Sequence, residues 1–137
     1  METPAKEIES KQLLLELVVH AADVSTQTRR FDIALEWTWL LFEEFFNQGD
    51  LEKQQNLPIS FLCDRSTTQI VKSQPGFLNF ICIPLFQTIS EIMPEMKQLE
   101  KNTRDNLKHW AEMDESEEQK KIYLPKSKEF IEKRWKK

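Results

Sequence analysis

Apolar residues recur at helical spacing through most of the chain, and the clearest case lies at 30–48. There, large apolar side chains return every three or four residues, which is the spacing of one buried helical face. The residues on this face are Phe31, Ala34, Leu35, Thr38, Leu41, Phe42 and Phe45. We therefore predict an amphipathic helix ending at Gln48, with Gly49 as a left-handed cap. A short helix over 50–55 follows, and Asn-Leu-Pro at 56–58 ends it.

A second helix is predicted upstream, from Ser10 to His20. Its leucines and valines cover nearly the whole circumference of a helix, and Ser10 is available as the N-cap. A helix that is apolar all round is normally enclosed on most sides. We therefore expect this helix to be largely buried.

Proline and capping residues divide the second half of the chain. Asp64 or Ser66 is a plausible N-cap for a helix through Lys72. Pro75 suits the first turn of a following helix over 76–93, and Pro84 should kink or divide that helix.

The last predicted helix opens at Pro94. One face of it carries Met96, Leu99, Thr103, Leu107 and Trp110. Two glycines against nine phenylalanines and four tryptophans make a composition poor in tight turns, which disfavours a small β-sandwich or barrel. The predicted fold class is all-α.

Length and charge limit the class of protein. The 137 residues suit one domain, over 1–112, followed by a charged tail over 113–137. A net charge of -4 gives no electrostatic case for nucleic acid or anionic lipid. The two cysteines, Cys63 and Cys82, are too few for a disulfide scaffold. No targeting segment is recognised at the amino terminus. No apolar run reaches the ~20 residues of a membrane span. We expect a soluble, cytoplasmic protein.

The tail combines charge with aromatic residues. Residues 114–118 are acidic, and from Lys120 onward the chain is strongly basic with apolar residues interspersed. Such a segment is either a frayed terminus or a docking segment for phosphates or an acidic surface.

Candidate chemistry is sparse when the residues are taken alone. His20 and Asp23 project from the same face of a helix, but a catalytic zinc needs about three protein ligands. The amide of Gln74 could read the edge of a heterocycle that stacks on Phe77, although both residues also suit a helical surface and core. The motifs of phosphate loops, hydrolase elbows and C-x-x-C sites are absent from the sequence.

Three strings in order carry a resemblance. They are LLLELVVHAADVS, WTWLLFEEFFNQGDLEKQQNLPISFLCDRST and KSQPGFLNFICIPLF, followed by Asn106 and Trp110. Together they resemble the carboxy-terminal half of the catalytic domain of class I 3′,5′-cyclic-nucleotide phosphodiesterases, most closely the calmodulin-regulated members. The resemblance covers about residues 10–112.

The resemblance implies a compact multi-helix domain that hydrolyses cAMP or cGMP to the 5′-nucleotide in intracellular signal transduction. Its pocket holds Zn²⁺ and usually Mg²⁺, bridged by a hydroxide that attacks phosphorus. By matching positions, Asp23 is a metal ligand and His20 orients the helix end that presents it. Gln74 pairs with the purine edge, while Phe77 and Leu41 close on the two faces of the base.

The sequence also departs from the family pattern. Val24 to Gln27 replaces a segment that often contains an asparagine used in nucleotide selection, and the family's H-N-x-x-H and H-D elements are not found. No catalytic residue is therefore assigned in this chain, and the chain in isolation is expected to be inactive. Three hypotheses remain: a half enzyme that binds cyclic nucleotide with a complementary amino-terminal half, an inactive remnant that serves as an interaction module, or a nucleotide-binding regulator.

Overall fold

The computed structural model describes residues 4–113, in which every regular element is helical. Five α-helices occur: α1 (Pro4–Asp23), α2 (Phe31–Gln54), α3 (Ile70–Phe77), α4 (Ile83–Ile92) and α5 (Lys97–Glu112). Two 3-10 turns (Ser25–Thr28 and Pro94–Met96) and a π-helical turn (Leu78–Cys82) connect them. The predicted all-α class is confirmed for this part of the chain. Of the predicted tail, only Met113 lies within the described residues.

The larger of two apolar clusters joins the inner face of α2 to α3 and α5. Its buried members are Leu35, Trp39, Phe42, Phe46, Ile70, Val71, Leu78 and Trp110. Phe31, at the start of α2, stacks edge-to-face on Trp110 with ring centroids 5.3 Å apart. Most of the predicted apolar face of α2 therefore builds the core, but the prediction is wrong for Leu41, which is exposed. Trp39 and Phe46, which were not predicted on this face, are buried in the cluster.

A second cluster joins α1 to α4. Ala21 packs there with Cys82, Leu85, Phe86 and Ile89. Phe77 contacts both clusters, so the end of α3 lies where the two parts of the core meet.

Helix α1 differs from its prediction in two ways. It begins at Pro4, which places Ser10 within the helix and not at its N-cap. Its apolar residues are also largely exposed, since Leu13, Leu15 and Val19 have fractional exposures of 68%, 66% and 69%. The expectation of burial is wrong for these residues because α4 covers only one side of α1, and no other described helix covers the opposite side.

Gly49 does not end α2, which continues as one helix to Gln54. The glycine has no left-handed backbone, and a Cβ atom there would lie 2.7 Å from the carbonyl carbon of Cys63 and closer still to its oxygen. The glycine is needed for this close approach. Asn56, with φ of 55°, takes the left-handed conformation beyond the helix, so the predicted break at 56–58 is confirmed.

Asp64 and Ser66 do not cap a helix, because α3 begins only at Ile70. The Asp64 carboxylate instead accepts hydrogen bonds from the Ser66 backbone N–H (2.9 Å) and hydroxyl (2.6 Å), which closes a local turn. These bonds hold the pKa of Asp64 below its ordinary value. The predicted boundary near Pro75 is also wrong, since Pro75 lies inside α3.

Pro84 divides the following segment as predicted. The division takes the form of the π-helical turn, in which the Ile83 N–H donates to the carbonyl of Leu78, five residues earlier. Pro84 then lies in the first turn of α4, where no N–H is required.

Helix α5 is held to α4 by polar contacts as well as by the core. Thr103, Asn106 and Trp110 are buried, whereas Met96, predicted on the same face, is exposed. The Glu100 carboxylate accepts hydrogen bonds from the Ser90 hydroxyl (2.8 Å) and from Arg104 (2.9 Å). These two donors hold the pKa of Glu100 below its ordinary value.

The helices of the described segment include none with the length and apolar character of a membrane span.

Candidate functional site

His20 and Asp23 lie one turn apart at the carboxyl end of α1, and both are exposed. They line a shallow groove with Gln12, Leu15, Glu16 and Val19. Among residues 10–113, no hydrogen bond or ion pair engages the Asp23 carboxylate. The predicted metal ligand is therefore presented on an open surface with its oxygens available.

The chain directly after Asp23 is anchored by two asparagines of α5. The Asn106 side-chain amide donates to the carbonyls of Gln27 and Arg29, both at 2.8 Å. Asn102 donates to the Thr28 carbonyl, also at 2.8 Å. These bonds fix the turn at 25–28 and so the position at which α1 ends. Asn106 was part of the family resemblance, but sequence reasoning did not predict that it anchors this turn. The four-residue spacing of Asn102 and Asn106, which places both on one helical face, is the signal that could have suggested this role.

Gln27 adds a second polar contact to this turn. Its buried amide donates to the Thr38 hydroxyl at 3.3 Å, which ties the turn to α2. Its Oε1 is buried without a hydrogen-bond partner among the residues that the structure describes. Sequence reasoning assigned no role to Gln27 beyond its departure from the family pattern.

Gln74 and Phe77 lie one turn apart on α3. Gln74 is 5% exposed, and its Nε2 donates to the Ser73 hydroxyl at 3.3 Å. No hydrogen bond to its Oε1 is found within the described chain, so this acceptor remains available. Phe77 is partly buried where the two apolar clusters meet.

Leu41 lies on the outer side of α2. It lines a groove with Trp37, Leu40, Glu43, Glu44 and Asn47, all from α2. Neither Gln74 nor Phe77 lines this groove, and none of the three lines the groove at Asp23. The structure thus brings together His20 with Asp23 and Gln74 with Phe77, and neither of the two grooves contains all five predicted residues.

A metal ion requires more ligands than these surfaces supply. In the part of the chain that the structure describes, no three His, Cys, Asp or Glu side chains are grouped to hold a metal ion. Asp23 offers one carboxylate and His20 one imidazole, fewer than the three or four protein ligands of typical zinc sites. The described residues alone therefore do not fit a complete metal centre.

The two cysteines are buried and unpaired with each other. Burial raises the pKa of the Cys82 thiol to about 12 and also raises that of Cys63. Both thiols are therefore neutral at physiological pH and poorly suited to nucleophilic chemistry.

Comparison with protein families gives one match. The model of the 3′5′-cyclic nucleotide phosphodiesterase family matches residues 1–103. Members of this family are in general metal-dependent.

Curated relatives match a large part of the chain. The dual specificity calcium/calmodulin-dependent 3′,5′-cyclic nucleotide phosphodiesterase 1B of Bos taurus is 40% identical over 100 residues, which are 72% of this chain and 19% of the relative. The corresponding phosphodiesterase 1 of Drosophila melanogaster is 45% identical over 83 residues, covering 61% of this chain and 10% of the relative. The chain therefore spans a fifth or less of the length of these relatives.

A solved structure has a similar fold. The structure of LmjPDEB1 in complex with IBMX aligns with a TM-score of 0.68 and 29% sequence identity. The alignment covers 73% of this chain and 30% of the solved one. The helical arrangement described above thus corresponds to part of a larger helical structure.

Proposed function

Because the chain belongs to the 3′,5′-cyclic nucleotide phosphodiesterase family, we propose that it is the carboxy-terminal part of a catalytic domain that hydrolyses cAMP or cGMP. It acts when a complementary amino-terminal half, on another chain or on a longer form of this one, completes the site. The whole assembly, and not the described residues alone, is the enzyme.

The observation that carries this proposal is the exposed apolar side of α1. Leu13, Leu15 and Val19 form a surface that a folded domain would normally cover. The same helix ends at Asp23, the predicted metal ligand. A half that covers α1 would therefore also reach the Asp23 carboxylate.

In the completed site, Asp23 contributes one ligand to a centre for Zn²⁺ and Mg²⁺, and the other ligands come from the complementary half. The turn at 25–28, anchored by Asn106, keeps the end of α1 in place. We assign His20, one turn before Asp23, to orienting this helix end. Bound metal ions would neutralise the charge of the cyclic phosphate. The described residues group no three side chains that could hold such a centre by themselves.

The nucleotide base is assigned to the other predicted residues. The Oε1 and Nε2 atoms of Gln74 provide the acceptor and the donor that a purine edge requires. Phe77 stacks on the base and Leu41 closes the opposite face. Neither groove described above contains both Leu41 and Phe77, so we assign the completion of the base pocket to the complementary half.

The test is reconstitution of activity. The 137-residue chain is mixed with the upstream catalytic segment of the Drosophila relative, and hydrolysis of cyclic AMP and cyclic GMP is measured. We expect no turnover by the chain alone and turnover by the mixture, lost in Asp23→Ala. Asp32→Ala, which removes an exposed carboxylate of α2, serves as the matched control and should retain activity.

The remnant hypothesis is tested by the same mixture. It is the second candidate, because a remnant also accounts for the absence of three grouped metal ligands in residues 10–113. A stoichiometric complex without turnover would support an interaction module and refute the half enzyme. Turnover by the chain alone that Asp23→Ala abolishes would refute the requirement for a second half.

The base assignment needs measurements of affinity and stability together. In an active mixture, Phe77→Ala should cost about 1–3 kcal/mol of nucleotide binding, the range for stacking on an aromatic ring. Gln74→Ala should cost a comparable amount while metal content is retained. Loss of thermal stability without loss of nucleotide affinity would show that both residues serve only the core.

A further inference from the structure

The outer groove of α2 combines apolar and acidic groups. Trp37 and Leu41, with fractional exposures of 48% and 42%, form its apolar floor. Glu43 and Glu44 line it, and Glu36 lies one turn before Leu40 on the same helix. Such a surface suits a basic segment that also carries large apolar side chains.

The charges of this groove are not neutralised locally. Residues 31–54 include six acidic residues and one lysine. Asp32 and Asp50 pair with arginines, and Glu52 accepts hydrogen bonds from Gln48 and Ser60. The remaining three carboxylates form no ion pair with any described residue; they are Glu36, Glu43 and Glu44. The hydrogen bond to Asp50 and the charges of Asp50 and Glu43 raise the pKa of Arg65, whose guanidinium is hydrogen-bonded to Asp50 and to Asn47 at one end of the groove.

The chain itself contains a segment of the complementary chemistry. Residues 119–137 carry seven lysines and one arginine against two glutamates, a net charge of +6, which leaves -10 for residues 1–118. The segment also contains Ile122, Tyr123, Leu124, Phe130, Ile131 and Trp135. It lies beyond the family match, which ends at residue 103.

The point at which the chain leaves the structure is close to α2. At the end of α5, His109 stacks on Phe31 with ring centroids 4.7 Å apart, and Met113 packs against the larger cluster. The groove runs along α2 from Trp37 to Asn47, which are six and sixteen residues after Phe31. At the rise of an α-helix, these positions lie roughly 9 and 24 Å from Phe31 along the helix axis. An extended run over 114–118 spans about 17 Å, so the basic residues that follow can reach the groove.

We propose that residues 119–137 dock in cis on the α2 groove. The lysines and arginine lie against Glu36, Glu43 and Glu44, and the apolar side chains cover Trp37 and Leu41. A docked tail and a base bound against Leu41 therefore exclude each other. The acidic run at 114–118 is repelled by the groove and serves as the spacer. This proposal does not depend on the phosphodiesterase activity.

Carbodiimide cross-linking of the full chain tests the proposal, because the reagent joins a lysine amine to a carboxylate that it touches. Mass spectrometry of the monomer band should find lysines of 120–137 joined to Glu43 and Glu44. Glu95, an exposed carboxylate outside the groove, is the reference site. We expect the cross-link yield at Glu43 and Glu44 to be at least about fivefold higher than the yield at Glu95. Raising the salt concentration from about 0.05 to 0.5 M should lower the groove yield by a similar factor, since screening shortens the range of the attraction.

Substitutions that keep the carboxylates isolate the apolar contribution. Trp37→Ala should lower the yield severalfold, whereas Leu51→Ala, at an exposed position of α2 outside the groove, should not. Trp135→Ala, which leaves the described helices unaltered, should lower the yield even if Trp37→Ala impairs folding. Equal yields at Glu95, no effect of Trp135→Ala, or groove cross-links found only in a dimer band would each overturn docking in cis.

Discussion

Replacing Gly49 with alanine should destabilise the chain, although alanine is the better helix former. At an unobstructed interior position of a helix, glycine to alanine gains about 1 kcal/mol. At Gly49 the new Cβ would lie 2.7 Å from the carbonyl carbon of Cys63, so backbone and not a flexible side chain must move. Overpacking of this kind typically costs about 1–3 kcal/mol.

Hydrogen bonds through Ser60 hold the loop that must move. The Cys63 N–H donates to the Ser60 carbonyl at 3.0 Å, and the Ser60 hydroxyl donates to Glu52 at 2.7 Å. Relaxation around the new methyl group therefore stretches existing hydrogen bonds. Subtracting the gain of about 1 kcal/mol in helix propensity from this cost leaves an expected net loss of up to about 2 kcal/mol.

The matched control is Gly76→Ala. A Cβ at Gly76, inside α3, meets no atom within 4 Å, so this substitution should stabilise the chain by about 0.5–1 kcal/mol. Urea unfolding followed by far-UV circular dichroism compares both variants with the unaltered chain. A Gly49→Ala variant that is as stable as Gly76→Ala would refute the steric argument.

Three further predictions concern other positions. Asn106→Ala should lower the free energy of unfolding by about 1–3 kcal/mol because two backbone carbonyls lose their hydrogen-bond donor. Asn79→Ala, at an exposed position, should change this free energy little. Equal effects of the two substitutions would contradict the anchoring role of Asn106. Cys63 and Cys82 should react with a thiol reagent at about pH 8 only after denaturation, and rapid reaction of the native chain would disprove their burial. The pKa of Glu100 is lower in the folded chain than in the unfolded chain, so its stabilising contribution is present above the unfolded pKa and is lost as pH falls through the folded pKa. The melting temperature of Glu100→Gln should therefore decline less toward about pH 3 than that of the unaltered chain. Parallel declines would argue against a stabilising role of the Glu100 carboxylate.

Sequence periodicity predicted the helical class and most of the buried face of α2. Apolar residues that recur with the 3.6-residue period of an α-helix indicate both the helix and the side of it that is buried. Family membership was also predictable, since ordered motif strings carry it and the family match over residues 1–103 confirms it. Boundaries that depend on distant contacts were not predictable. Gly49 is a glycine because of Cys63, fourteen residues away, and local rules interpret the same residue as a cap.

The candidate site was predictable only as separate residues. The motif that contains His20 and Asp23 does place both on one helical turn. The exposure of α1 was missed because an all-apolar helix indicates burial without specifying which chain buries it. The roles of Asn102 and Asn106 depend on contacts over more than seventy residues of sequence, which no local pattern encodes.

The position of Phe77 at the junction of the two apolar clusters has an evolutionary consequence. A side chain that both clusters contact is retained by selection for folding alone, whether or not it ever stacks on a base. Asp23 and Leu41 are exposed, and a mutation at either position would disturb little of the described core. If selection for activity were relaxed in a lineage of such chains, Asp23 and Leu41 would drift first while Phe77 persisted.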